Sequence, residues 1–305
     1  MLVSGAIATV ITAGAIGAAG FGDAADGSSL AIRDLSGWTT WWRSNTAPVR
    51  WNGEPVLANR VNWRAGAGGI EWGELQLRGS SEAWRTRLIV VRVDPRRLEF
   101  SLEPTFMRNL SWTVANADSA EVLALNAGQF RGSLPWGWVV SRGKEVLAPE
   151  YAPLAGAVVV DSSGSVRIVA PDSVALERTR ANTREAFQSY PMLLLDGAVP
   201  VPLREAGSGV DLTHRDARLA LGTLEDGRMI VALTRFDALG PTLGRVPFGL
   251  TTPEMAAVMG GLGARHALLL DGGISGQLML RSSAGSIRTW SGSRAVPMGL
   301  EAHPR

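Results

Sequence analysis

The chain has 305 residues, enough for one large domain or two smaller ones. Its 30 basic and 28 acidic side chains nearly balance and form no polybasic block, which argues against a nucleic-acid partner. There is no cysteine, so disulfides, thiolate metal sites and a cysteine nucleophile are excluded.

Residues 1–22 carry no charge and are mostly Ala, Gly, Ile and Val. As a helix this stretch would span roughly 30 Å, the thickness of a bilayer core. It reads as a hydrophobic leader, either a signal or a membrane anchor, although it lacks a basic start. That reading makes the protein extracytoplasmic, secreted or membrane-anchored. Residues 23–29 read as a flexible joint. Residues 30–84 form a Trp-rich extension of short strands and loops, with Trp38, Trp41, Trp42, Trp51, Trp63, Trp72 and Trp84. These rings either fill a core or offer a stacking platform for sugars.

Two extended runs follow at 70–78 and 84–94, stopped by Pro95, and 98–102 is expected to return as a hairpin partner. Residues 109–120 predict a short helix capped by Asn109 or Ser111. A strand at 121–125 then ends in Asn126-Ala127-Gly128-Gln129-Phe130. Hairpins are expected around Arg142-Gly143 and Ser162-Ser163-Gly164. A helix at 173–183 and an apolar strand ending in Asp196-Gly197 come next. Residues 198–217 make a polar loop, long enough to act as a lid. A hairpin at 219–224 and 229–233 precedes a Gly/Pro loop at 237–250.

The clearest helix is 252–262, with Thr251 or Thr252 as cap, Pro253 in the first turn and Gly263 at its end. A strand at 265–270 runs directly into Asp271-Gly272-Gly273-Ile274-Ser275. Strands at 277–280 and 286–290 follow, and the tail runs out through Pro297. The fold class expected is α+β, with mixed, largely antiparallel sheets and a few covering helices.

Asp271 has the most defined address. It is either the acid of a bare turn or a carboxylate set beside exposed backbone N–H groups. Asn126 and Gly128 occupy a second strand-to-loop junction, where the amide could orient a hydroxyl or close an Asx-type turn. His214, Arg215, Asp216 and Arg218 precede a strand, with His214 and Arg218 the candidates among them, and Arg294 lies in a closing Gly-Ser-Arg segment. Three scattered histidines make no zinc signature, and neither a P-loop nor a nucleophile elbow occurs. No cofactor and no metal ligand is assigned.

The order of these segments resembles the phosphodiester glycosidase family over roughly residues 85–300. Asn126 to Phe130 resembles the family's Asn-Gly-Gly-Phe-Phe turn, and Gly137-Trp138-Val139 through Gly143 its Gly-x-Val-x-x-x-Gly stretch. Ser189 to Leu193 with Asp196-Gly197, His214 to Arg218, Thr252 to Glu254 and Ala267 to Ser275 follow in the family's order, and Arg294 with Pro297 closes it. Gln129, Leu269 and Ile274 depart from the family pattern, with Ile274 standing where a third glycine is usual. The resemblance implies a hydrolase that cleaves a sugar from a phosphodiester-linked glycoside in an extracytoplasmic glycan. Asp271, Asn126, His214 and Arg218 would then be catalytic, and Gly128, Asp196, Gly272, Gly273, Ser275 and Arg294 would bind substrate. The partner would be a carbohydrate or sugar phosphodiester. The alternative is a non-catalytic carbohydrate-binding or structural cell-envelope protein.

Overall fold

The computed structural model describes residues 27–79, 85–207, 209–237 and 247–305. The uncharged leader, Trp84 and most of the 237–250 loop lie outside the described residues. Within them, no helix is long and apolar enough to cross a membrane.

The largest sheet runs, in order, through Met192–Leu194, Ala264–Leu270, Leu219–Leu224, Met229–Phe236, Arg85–Val93, Glu71–Arg78, Ser29–Asp34 and Gly37–Arg43, with Arg64–Ala65 added at Glu71. A second sheet orders Lys144–Leu147, Val139–Ser141, Thr183–Ser189, Gly156–Asp161 and Val166–Val169. A third orders Ile287–Trp290, Leu278–Arg281, Leu123–Asn126, Gly299–Pro304 and Leu98–Glu103. The ladders among the described residues are antiparallel rather than mixed. Tight turns account for the pairs of strands that are consecutive in the chain, since a parallel pair needs a long crossover. At Arg142-Gly143 both residues have positive φ, 53° and 76°, as a two-residue hairpin loop requires.

The central strands of the large sheet bury both faces, with alternate residues in different cores. Leu219, Leu221, Val231, Leu233, Leu268 and Leu270 face one core, shared with the other two sheets. Ala220, Ile230, Ala232, Ala267 and Leu269 face a second core, formed with the helix Thr252–Gly261 and the N-terminal segment. The helix is buried on every side rather than along one stripe. A side chain at Gly260 would strike the Trp51 ring, and one at Gly261 would press on Leu57 and Trp41. Trp41 and Trp51 therefore cover the helix. Trp72 is 2% exposed, with Arg64 and Arg288 over its ring at 4.9 and 4.7 Å.

Four expectations are corrected. The helix at 109–120 is replaced by turns and a single 3-10 turn, Val114–Asn116, capped by Thr113. Trp112 decides this: its backbone exchanges two hydrogen bonds with Val296, and its buried indole donates to Glu301 at 2.7 Å. The helix at 173–183 shrinks to Val174–Arg178, because Thr183 already begins a central strand of the second sheet. The strand Leu98–Glu103 does not return onto Arg85–Val93 but pairs with Gly299–Pro304. That last strand lies inside the third sheet, where an open tail was expected.

Candidate active site

The site forms where Ala264–Leu270 and Leu123–Asn126 end side by side. The Asn126 side chain is completely buried and bridges the two ends. Its amide donates to the Asp271 carbonyl at 2.8 Å, and its oxygen accepts from the Gln277 N–H at 2.9 Å. The Asp271 N–H donates to the Gly128 carbonyl at 2.9 Å. Asn126 and Gly128 thus hold the Asp271 turn in place. Gly128 takes φ +81°, with the Gln188 carbonyl only 3.1 Å from where a Cβ would stand.

The glycines after Asp271 serve close packing. A Cβ on Gly272 would lie 2.2 Å from the Ala217 carbonyl, and one on Gly273 would lie 2.8 Å from the Asp216 carboxylate. Gly273 also donates to Ala217 at 2.7 Å, while Ser275 and Gly276 both donate to Gly272. Three of the amides after Asp271, those of Gly273, Ser275 and Gly276, are thus engaged by protein carbonyls. Ile274 is 44% exposed and has no positive φ. A β-branched residue fits there because its bulk points outward and its backbone needs no glycine-only conformation.

Asp271 itself is largely enclosed. Burial pushes its carboxyl above the ordinary carboxylate range, against a hydrogen bond from Ser275 and the pull of Arg294, and the nearby Asp216 charge adds to the rise. Ser275 is 2% exposed, so it supports the carboxyl from within the loop.

Asp216, given no role from the sequence, is the second carboxyl group. Burial raises it too, offset by Arg218 first among the favourable charges. Its segment is pinned to the start of the helix. Asp216 N–H donates to Leu250 at 3.2 Å, and Arg215 forms a two-pronged pair with the buried Glu254 at 2.7 and 2.9 Å. Glu254 simultaneously closes a capping box with Thr251. Arg218 donates to the Leu250 and His214 carbonyls at 2.9 and 2.6 Å, so it braces the segment. A signal for Asp216 was available in His214-Arg215-Asp216-Ala217-Arg218, where one acid sits among three potential cations.

Two basic side chains, a histidine and an arginine, border the carboxyl pair. His214 is exposed, with Nε2 3.8 Å from Asp216. Arg294 has its N–H bound to the Ile274 carbonyl at 3.0 Å, and its guanidinium reaches Gly132 at 3.3 Å. Arg235 is buried and donates to the Gly276, Trp290 and Ser291 carbonyls, tying the Asp271 loop to the strand before Arg294.

Asp196 is not brought to this site. Met192–Leu194 runs antiparallel to Ala264–Leu270, so Asp196 sits by Arg265, at the other end of the strand from Asp271. It is paired there with Arg265 and with Arg50. Among the described residues, no three His, Asp or Glu side chains are grouped so as to hold a metal ion.

The phosphodiester glycosidase family model matches residues 119–301. The chain belongs to that family. The matched stretch contains Asn126, the His214–Arg218 segment, Asp271 and Arg294, together with the elements that position them. Among solved structures, it is similar to the zebrafish N-acetylglucosamine-1-phosphodiester alpha-N-acetylglucosaminidase catalytic domain auto-inhibited by pro-peptide. That likeness has a TM-score of 0.56 and 16% identity, over 80% of this chain and 88% of the other. A hypothetical protein from Synechocystis has a TM-score of 0.49 and 16% identity, over 77% of this chain and 62% of its own. No curated protein matches the chain. At such identities, the likeness to the zebrafish phosphodiester glycosidase is one of fold.

Proposed function

We propose that the protein is a hydrolase that releases a sugar from a phosphodiester-linked glycoside in a glycan outside the cytoplasm. The observation that supports this reading most is the enclosed Asp271 carboxyl, on a turn whose backbone Asn126 holds, beside a second carboxyl, Asp216, in a chain of this family. Breaking a glycosidic bond builds positive charge at the anomeric carbon, and a nearby carboxylate stabilises it. Asp271 takes that part. The phosphate is a weakly basic leaving group, so little proton donation to it is needed. His214 and Arg294 meet its negative charge from the border of the site. Asn126, Gly128, Arg215 and Arg218 act through the loops they fix.

Release of free sugar from a panel of sugar phosphodiesters by the purified protein, with and without chelator, tests the reading. Turnover that falls at least about a hundredfold in Asp271→Asn, with the fold retained by circular dichroism, is the expected result. Failure to release sugar from every member of the panel would sink it.

A further inference from the structure

One line of side chains crosses five neighbouring strands of the large sheet. Arg235 lies opposite Arg87, Arg87 opposite Gln76, and Trp38 opposite Arg33. Arg33 joins the two halves by donating to the Gln76 side chain at 3.1 Å. Residues directly opposite share a face. This is the face by which Ile89 and Leu233 reach the first core, whereas Ile32, Leu77 and Leu88 turn to the second. At one end of the line, Arg235 donates to the Gly276 carbonyl in the Asp271 loop. Trp38 stands four strand spacings away, roughly 19 Å. A neighbouring line on the same face brings Arg78 opposite Arg85, and Arg43, opposite Ser29, lies beyond it.

The face is basic. Among the described residues it carries Arg33, Arg43, Arg78, Arg85 and Arg87 against Glu74 and Asp237, although the whole chain is only +2. Arg87 engages both acids, at 3.9 and 2.8 Å. Arg33, Arg43 and Arg85 are exposed and form no ion pair among the described residues. Their forked donors suit phosphodiester oxygens. Arg33 and Arg85 stand two strands and two residues apart, roughly 12 Å, too far to share one phosphate and placed for successive ones. Trp38 adds a second specification. Its ring is half-buried, with the Arg78 guanidinium 5.8 Å from its centre. A flat ring packs against the C–H face of a sugar. One ring among arginines matches alternating sugar and phosphate, whereas a nucleic-acid strand is held by a succession of stacking rings.

We propose that this face is a second, non-catalytic binding track, which holds further sugar-phosphate units of a phosphodiester-linked glycan while one unit lies at Asp271. The glycan identity rests on the function proposed above, but binding to the face does not depend on turnover.

Titration calorimetry on the full chain tests this, in an Asp271→Asn background so that the ligand survives. The probes are an oligomer of sugar 1-phosphate units, a single sugar 1-phosphodiester, a single-stranded oligonucleotide of the same charge as the oligomer, and phosphatidylglycerol vesicles. Arg33→Gln with Arg85→Gln is expected to weaken the oligomer by about tenfold, and Trp38→Ala by about fivefold, with the single unit unchanged. The arginine pair should also flatten the fall of oligomer affinity with salt, because fewer counterions are released. With Asp271 restored, kcat/KM should drop for the oligomer and stay the same for the single unit. Oligomer affinity that ignores these substitutions overturns the proposal. So does equally tight binding of the oligonucleotide or the vesicles, lost in the same variants, which would make the face one for another polyanion. The two readings fail separately. If the protein cleaves nothing, the oligomer titration still decides the track; if the single unit is cleaved and the substitutions leave oligomer affinity alone, only the track falls.

Discussion

Two neighbouring strands of the large sheet carry almost the same ending. Met192–Leu194 continues into Leu195-Asp196-Gly197, and Ala264–Leu270 continues into Asp271-Gly272. Because the strands are antiparallel, the two acids leave the sheet at opposite ends. Asp196 emerges into solvent with φ +51° and between two guanidiniums, and the Arg265 charge first of all lowers its carboxyl. Asp271 emerges into a junction of two sheets and a folded-back loop, and burial raises it. A motif supplies an acid and a turn, whereas the surroundings decide whether that acid is a salt-bridge partner or a candidate reagent.

The largest test of this contrast is to neutralise each acid in turn. Asp271→Asn is expected to lower turnover on the order of 10²–10⁴-fold, the range for a positioned catalytic carboxyl. Asp196→Asn is expected to leave the rate constant where it was. If the two variants lost equal activity, the contrast between them would be without functional meaning.

The glycines that follow provide the next separation. A Cβ at residue 272 would stand 2.2 Å from the Ala217 carbonyl, and one at residue 197 would stand 2.5 Å from the Trp51 carbonyl. Both Gly→Ala changes force backbone apart and should cost about 1–3 kcal/mol of stability, measured by denaturant unfolding. Only Gly272→Ala displaces the Asp216 segment, so only it should also reduce turnover per folded molecule, by about 10²-fold. Equal turnover in the two folded variants would show that the Ala217 contact does not position the site.

Much of this was legible beforehand. Alternating apolar runs mark the strands of the large sheet, and Thr251-Thr252-Pro253-Glu254 marks a helix start, because these signals are local. Long-range pairing was not legible. Nothing near Leu98 announces that its partner is Pro304, more than two hundred residues away, and the pull of Val296 on Trp112 overrides the helical look of 109–120. At the site, Asn126 and Asp271 were visible as strand ends, but their mutual hydrogen bond was not. The part Asp216 plays depends on Gly273 folding back against it. The place of Asp196 was hidden because the guanidiniums that engage it, Arg50 and Arg265, come from distant segments.

The carboxyl pair sharpens the contrast through pH. Ionised Asp271 is the form that faces the developing positive charge, so activity should rise with pH through its elevated pKa. The Asp216 charge contributes to that elevation. Asp216→Asn should therefore move the acidic limb of the kcat/KM profile to lower pH, by up to about one unit. An unmoved limb would mean that the two groups do not feel each other.

The smallest expected effect asks whether an elevated pKa by itself marks a reagent. Glu121 is 6% exposed, one of its oxygens lacks a protein partner among the described residues, and its carboxyl is pushed up to about 7 by burial and then by Glu301. His303, 3.5 Å away, opposes the rise without cancelling it. In the unfolded chain the same group ionises near 4.5. Between those two values the folded protein holds a proton that the unfolded chain has released, so stability falls as pH rises through the window and levels off above about 7. Glu121→Gln removes the titration. Its advantage over the wild type should be absent below pH 4.5, grow across the window and reach about 1–3 kcal/mol at pH 8, read from denaturant midpoints. Turnover on a single sugar phosphodiester should not change, because Glu121 belongs to the third sheet's support and not to the Asp271 junction. A loss of turnover matching that of Asp271→Asn would show that the elevated carboxyl of the third sheet belongs to the chemistry, and that the boundary drawn around Asp271 and Asp216 is too narrow.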